Sequence, residues 1–209
     1  MSPDTARIGF WTAILSVVFA AMFSVVALAA TFTGLIPELW VNPASFAPSL
    51  ALAWSFLALM VCVTELAPYD ARIWSRLGLA FAAIYATINT LVYFTQLAVV
   101  SPRLFAGNGE SVAVLQFTSN SFMQSANGFA YGLMSVAALL SSQNIAGLPE
   151  AKFVRLSMIA HGVIAPFIIG ALFWPTLTII GAFWITTFPT TMVALALEFR
   201  RAPAVRGQV

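Results

Sequence analysis

Residues 8–32 read IGFWTAILSVVFAAMFSVVALAATF, an apolar run with no charged side chain, preceded by Arg7 and followed closely by Gly34 and Pro37. A helix needs about 20 such residues to cross a hydrocarbon core near 30 Å thick. In lipid the backbone must satisfy its own hydrogen bonds, so a lone segment of this kind can only be an α-helix.

Composition extends that reading to the whole chain. Of 209 residues, 61% are hydrophobic and 8% charged, against about 45–50% and about 25% in soluble domains. A water-soluble body of this size would lack the polar material to cover itself. A cytosolic enzyme is excluded, and the expected class is all-α, an integral membrane bundle.

Five further stretches fit a span, at approximately residues 46–66, 77–100, 119–140, 153–173 and 177–199. With 8–32 they give six transmembrane helices in a single membrane domain covering 1–209. Breakers separate them: Pro43, Pro68, Pro102, Gly107, Gly147, Pro149 and the Trp174-Pro175-Thr176 turn. The segment from Pro37 to Ser45, with Trp40, reads as an interfacial loop. The fourth span is the most polar in its first half.

Basic residues orient the spans. A cytoplasmic amino terminus puts Arg7, Arg72, Arg76, Lys152, Arg155, Arg200, Arg201 and Arg206 on one side and leaves Arg103 alone on the other. That asymmetry is the positive-inside rule, so both termini are expected in the cytoplasm and the chain in a bacterial inner membrane. A competing reading takes Arg7, the apolar run and Ala27-Leu28-Ala29 as a cleaved signal peptide, although the run exceeds the roughly 7–15 residues of such a core. Arg7-Ile8-Gly9, Arg76-Leu77-Gly78 and Arg155-Leu156-Ser157 could also trace three repeated hairpins. Orientation alone already requires those arginines.

Other chemistries find little material. The basic residues form no stripe, so nucleic acid is not an expected partner. Cys62 has no second cysteine and His161 no second histidine, which leaves no disulfide, no thiolate site and no multi-histidine metal or haem centre. No metal or cofactor is expected. Glu65 and Glu198 sit at span ends within reach of Arg72, Arg76 or Arg155, and Glu38, Asp70, Glu110 and Glu150 fall in loops. Without an acid near the midplane, ion coupling is not expected. Phosphate-binding loops, HExxH and nucleophile elbows are absent from the sequence.

Polar side chains at membrane depth normally face other helices or a cavity. Span three carries Tyr85, Asn89, Tyr93 and Gln96 at helical spacing, and span four carries Asn120, Gln124, Asn127, Tyr131 and Ser135. In antiparallel neighbours, residues at equal depth have a constant sum of positions. Gln96 with Asn120, Tyr93 with Gln124, Asn89 with Asn127 and Tyr85 with Tyr131 all sum to 216 or 217. The two rows can face each other rung by rung. Amides and phenols of this kind can fasten a bundle at about 0.6 kcal/mol per contact, with Gly128 and Gly132 permitting close approach. They can also line a crevice for a ligand.

His161 falls level with Tyr85, Tyr131, Ser135 and Thr187 by the same depth argument. Three roles fit: a neutral imidazole joining helices, a ligand contact, or an acid–base catalyst with Tyr85 or Tyr131. On the ligand reading, His161→Ala is expected to reduce binding or activity more than folded yield. The candidate ligand-binding set is therefore Asn89, Tyr93, Gln96, Asn120, Gln124, Asn127, Tyr131, Ser135 and His161.

The opening Ala6-Arg7-Ile8-Gly9, Tyr93-Phe94-Thr95-Gln96-Leu97 followed by Val100-Ser101-Pro102, and Phe173-Trp174-Pro175 resemble uncharacterised bacterial six-span membrane proteins of the domain-of-unknown-function type. The resemblance implies the span count and no activity.

Three functions stay open at this point. The first is a polar crevice that binds or passes a small amphipathic or lipid-like molecule. The second is an intramembrane isomerase or cyclase using His161. The third is an accessory subunit, or a homo-oligomer, whose stripe meets a partner helix. A pocket lined by Asn89, Gln124 and Asn127 favours the first, and a closed chamber around His161 favours the second.

Overall fold

The computed structural model describes residues 1–66, 72–143, 145 and 152–201. Pro68, Asp70, Gly147, Pro149, Glu150 and Arg206 lie outside the described residues. Helices account for nearly all of what is described, and no strand occurs among those residues. In chain order they are α1 (Pro3–Phe32), α2 (Glu38–Leu66), α3 (Arg72–Thr95), α4 (Ser101–Phe105), α5 (Phe122–Ser142), α6 (Lys152–Gly162), α7 (Ala165–Gly170), α8 (Thr178–Gly181) and α9 (Trp184–Arg201). A π-helical turn, Gln96–Val100, joins α3 to α4, and 3-10 turns occupy Gly109–Leu115 and Pro175–Leu177.

Local chemistry sets the ends. Ser2 caps α1, its hydroxyl oxygen accepting from the Thr5 backbone N–H at 3.0 Å, and Pro3 and Asp4 suit a first turn. At the other end Gly34 takes φ +61°, a left-handed conformation glycine adopts without penalty. α2 starts at Glu38, well before the expected position near 46, so the segment read as an interfacial loop is helical. Pro43 and Pro48 lie inside α2; each forfeits one backbone bond but keeps a helical φ.

Among the described residues, five helical stretches are long and apolar enough to cross a membrane: Pro3–Phe32, Glu38–Leu66, Arg72–Phe105, Lys152–Gly170 and Pro175–Arg201. α5, the expected fourth span, is not among them. It has 21 residues, but Gln124, Ser125, Asn127, Ser135, Ser141 and Ser142 lower its apolar content. Each of the last two spans carries a local break in its helix. Gly162 and Pro166 interrupt one between α6 and α7, because the Pro166 ring removes a backbone donor. Ala182-Phe183 separates α8 from α9 in the other.

The helices close into a ring. α1 packs on α2, α2 on α3, α3 on α5, α5 on α6 and α7, α6 on α9, and α9 returns to α1. Phe56, Leu59, Tyr85, Met134, Met158, Phe188 and Leu195 fill the interior. Of the five long candidate spans α1 is the least buried, turning Trp11, Val18, Val25 and Phe32 outward. Cys62 is buried and free.

Small residues set the seams. A Cβ on Gly78 of α3 would meet the Ala137 carbonyl of α5 at 2.7 Å, so only glycine admits this backbone approach. Gly128 and Gly132 seat α7 rather than α3: added Cβ atoms there would run into Leu172 and Ile169. Hydrogen bonds fasten other pairs. Ser16 and Ser55 hydroxyls lie 3.0 Å apart between α1 and α2. The Thr191 hydroxyl of α9 donates to the Ser157 carbonyl of α6 at 2.9 Å. Glu65 pairs with Arg72 at 3.9 Å.

Candidate functional site

α3 and α5 run antiparallel, with Gly78 beside Ser141 at one end and Asn89 beside Asn127 further along. Two of the four expected rungs form. Asn127 Nδ2 donates to Asn89 Oδ1 at 3.0 Å, and the Tyr85 and Tyr131 rings meet edge to face with centroids 5.7 Å apart.

The other two rungs do not form, because helical side chains lean toward their own N-terminus. On antiparallel helices that lean carries facing side chains in opposite directions. Tyr93 reaches down α3, so its hydroxyl meets Asn127 Nδ2 at 2.7 Å and Tyr131 Oη at 3.1 Å. Gln124 leans the other way, out of the bundle, where its Oε1 accepts the Asn120 backbone N–H at 2.7 Å. Asn120 lies outside the helix altogether, exposed and with φ +63°. Ser121 caps α5, accepting the Gln124 N–H at 3.1 Å, and so places the first helical residue at Phe122 rather than near 119.

Gln96 does different work from its expected partner role. Buried in the π-helical turn, it donates to the Leu115 carbonyl at 2.6 Å and accepts the Phe117 N–H at 3.1 Å. One amide thereby fixes the loop between α4 and α5 and seats Phe117 against Phe46, ring centroids 5.1 Å apart.

A crevice of about 330 Å³ adjoins the Asn127–Tyr93–Tyr131 chain. Its polar lining is Asn127, Tyr93, Tyr131 and Thr178. Phe23, Phe46, Phe117 and Trp184 supply aromatic wall, with small and aliphatic residues from α5 and the α7–α9 stretch between them. Trp184 stands edge-on to Tyr131 at 5.1 Å, and Phe46 stacks on Tyr93 at 5.4 Å. No charged residue lines the space. Among the expected site residues, Asn127, Tyr93 and Tyr131 border it. Asn89 is fully buried behind them, and Gln96, Asn120, Gln124, Ser135 and His161 are not part of the lining.

His161 lies deeper. Its Nδ1 is 3.2 Å from Thr187 Oγ1 and its Nε2 is 3.5 Å from Ser135 Oγ, with the Phe188 ring at 5.6 Å. The imidazole is fully buried and links α5, α6 and α9. A space of about 120 Å³ beside Thr187 is not lined by the imidazole. Among the described residues no cluster of His, Cys, Asp or Glu could hold a metal.

The aromatic wall escaped the sequence reading because its members come from α1, α2, the α4–α5 loop and α9, and no spacing in the chain relates them. Trp184, beside a threonine-rich stretch, offered the only local hint.

Comparison with protein-family models, with curated proteins and with solved structures finds no match to this chain.

Proposed function

We propose that this chain is a multi-pass membrane protein whose crevice between α3, α5 and the α7–α9 hairpin binds a small amphipathic or lipid-like molecule. The carrying observation is the apolar, aromatic space of about 330 Å³ bordered on one side by the hydrogen-bonded Asn127–Tyr93–Tyr131 chain. Small-molecule pockets are of this kind: roughly 300–1,000 Å³, mainly apolar, with a few convergent polar groups. Native mass spectrometry of the protein purified in mild detergent is expected to detect one retained small molecule. Asn127→Leu should lose it, and retention of bulk phospholipid alone would reject the reading.

The proposal includes six crossings, both termini cytoplasmic, in a bacterial inner membrane. α5 at 21 residues is about 31 Å long at 1.5 Å per residue. It lies antiparallel to α3, and α6 begins again near the end of the bundle that carries Arg72 and Arg76, which supports α5 as a crossing. Single cysteines in a Cys62→Ala background should test this. Residues 5 and 198 are expected to label only from the cytoplasmic side and residue 108 only from the other. Labelling of 108 and 198 from one side would remove the sixth crossing.

The acid–base reading gains no support from this geometry. His161 reaches Ser135 and Thr187, and the crevice wall does not include it.

A further inference from the structure

We infer that the crevice fills from the side, through an opening between α1 and the α8–α9 stretch, and that its occupant is a molecule dissolved in the bilayer whose apolar chain lies in that opening; this rests on the crevice being a binding site. The seam between α1 and α9 carries the inference. An added Cβ on Gly9 would run into the Phe199 ring, which sets the register of the antiparallel pair: residues at one level have positions summing to about 208. On that register Ala13 stands level with Leu195, Ser16 with Met192 and Ala20 with Phe188, and all six are at most 1% exposed. The next level is Phe23 with Ile185, and there the burial ends. α1 has no buried residue after Ala20, α9 has none before Phe188, and α8 has none. Ile185 is 58% exposed, yet both Phe23 and Ile185 line the crevice. The unsealed half of the seam therefore leads into it.

Side-chain size keeps this half open. The α1 face that carries Ala13, Ser16, Ala20 and Phe23 continues by helical spacing to Ala27 and Ala30. By the same register these stand level with Gly181 and Thr178, so small residues form both rims. α8 packs on α7 rather than on α1. In water such an apolar gap would be driven shut, but lipid tails are as apolar as leucine and nothing in a bilayer closes it. No charged residue lines the crevice, so an apolar chain enters without desolvating a charge. The side toward the α4–α5 loop is different. Phe46, stacked on Tyr93 at 5.4 Å and against Phe117 at 5.1 Å, walls it with rings, and the Gln96 amide holds the Phe117 backbone in place.

A phospholipid with a diazirine at the end of one acyl chain, in vesicles containing the full chain, tests this. Its headgroup keeps it in the bilayer, so it reaches the crevice only sideways. On illumination, Asn127 and Tyr131 of the crevice wall are expected to be labelled at least about tenfold above Met158, which is fully buried away from it. Phe23→Cys with Ile185→Cys, in a Cys62→Ala background and bridged by a short bismaleimide, should bring the wall down to the Met158 level. Leu91, 64% exposed on α3, should keep its label. Should that variant fold poorly, Ala27→Trp is expected to act as the bridge does. A wall labelled no more than Met158, or one whose label survives both the bridge and Ala27→Trp, would overturn the side entry. The binding reading is judged separately, by the molecule retained in detergent: if Ala182→Trp expels it, the crevice stands as a site with another entrance. A labelled wall in a protein that retains no molecule would overturn the binding reading and leave the opening as a recess filled by lipid chains.

Discussion

Replacing Ala182 by tryptophan is expected to abolish retention of the small molecule, by at least about a hundredfold in affinity, while the bundle stays folded. Ala182 lines the crevice and belongs to no hydrogen bond of the Asn127–Tyr93–Tyr131 chain. An indole there occupies much of the space of about 330 Å³, and a ligand that must expel it loses the apolar burial that holds it. Overpacking a tight core costs about 1–3 kcal/mol, but residue 182 is exposed, so the cost to folding should be at the lower end. Native mass spectrometry reads the occupancy, and thermal denaturation in detergent reads the fold. Full occupancy in the folded variant would place the molecule elsewhere.

His161→Ala should produce the reverse pattern: a stability loss of about 2–4 kcal/mol with ligand retention unchanged in the folded fraction. The imidazole is fully buried and packs on Phe188. Removing it opens a cavity and leaves Ser135 and Thr187 without their shared partner. Each hydroxyl still reaches a carbonyl of its own helix, Tyr131 for Ser135 and Phe183 for Thr187, so the polar part of the loss is small and packing dominates. From the sequence alone, the opposite outcome was expected for a ligand contact. The change of expectation follows from the position of the imidazole at the α5–α6–α9 junction, away from the crevice wall. Intact stability with lost ligand would return His161 to the binding machinery.

Much of the architecture is legible in the chain because a bilayer imposes a single coarse demand. An apolar run of sufficient length must be helical, so residues 8–32 and the later runs announce helices directly. The α3–α5 pairing is legible for a similar reason. Antiparallel rods keep constant sums of position, and Asn89 meets Asn127 accordingly. Finer geometry exceeded that rule. Constant sums track Cα depth, but tyrosine and glutamine are long enough to leave their own level. The lean of each side chain toward its helix N-terminus parted Tyr93 from Gln124.

Helical form and the apolar length that suits a bilayer were thus written in composition and run length, since both follow from transfer free energies that act residue by residue. The crevice was not. Its wall gathers Phe23, Phe46, Phe117, Tyr131 and Trp184 from across the chain, and their meeting depends on ring closure between α1 and α9, on the break between α6 and α7, and on the Gln96 clamp over the α4–α5 loop. Those are contacts between distant residues, decided by which surfaces fit once the helices are side by side. No local preference in the chain encodes them.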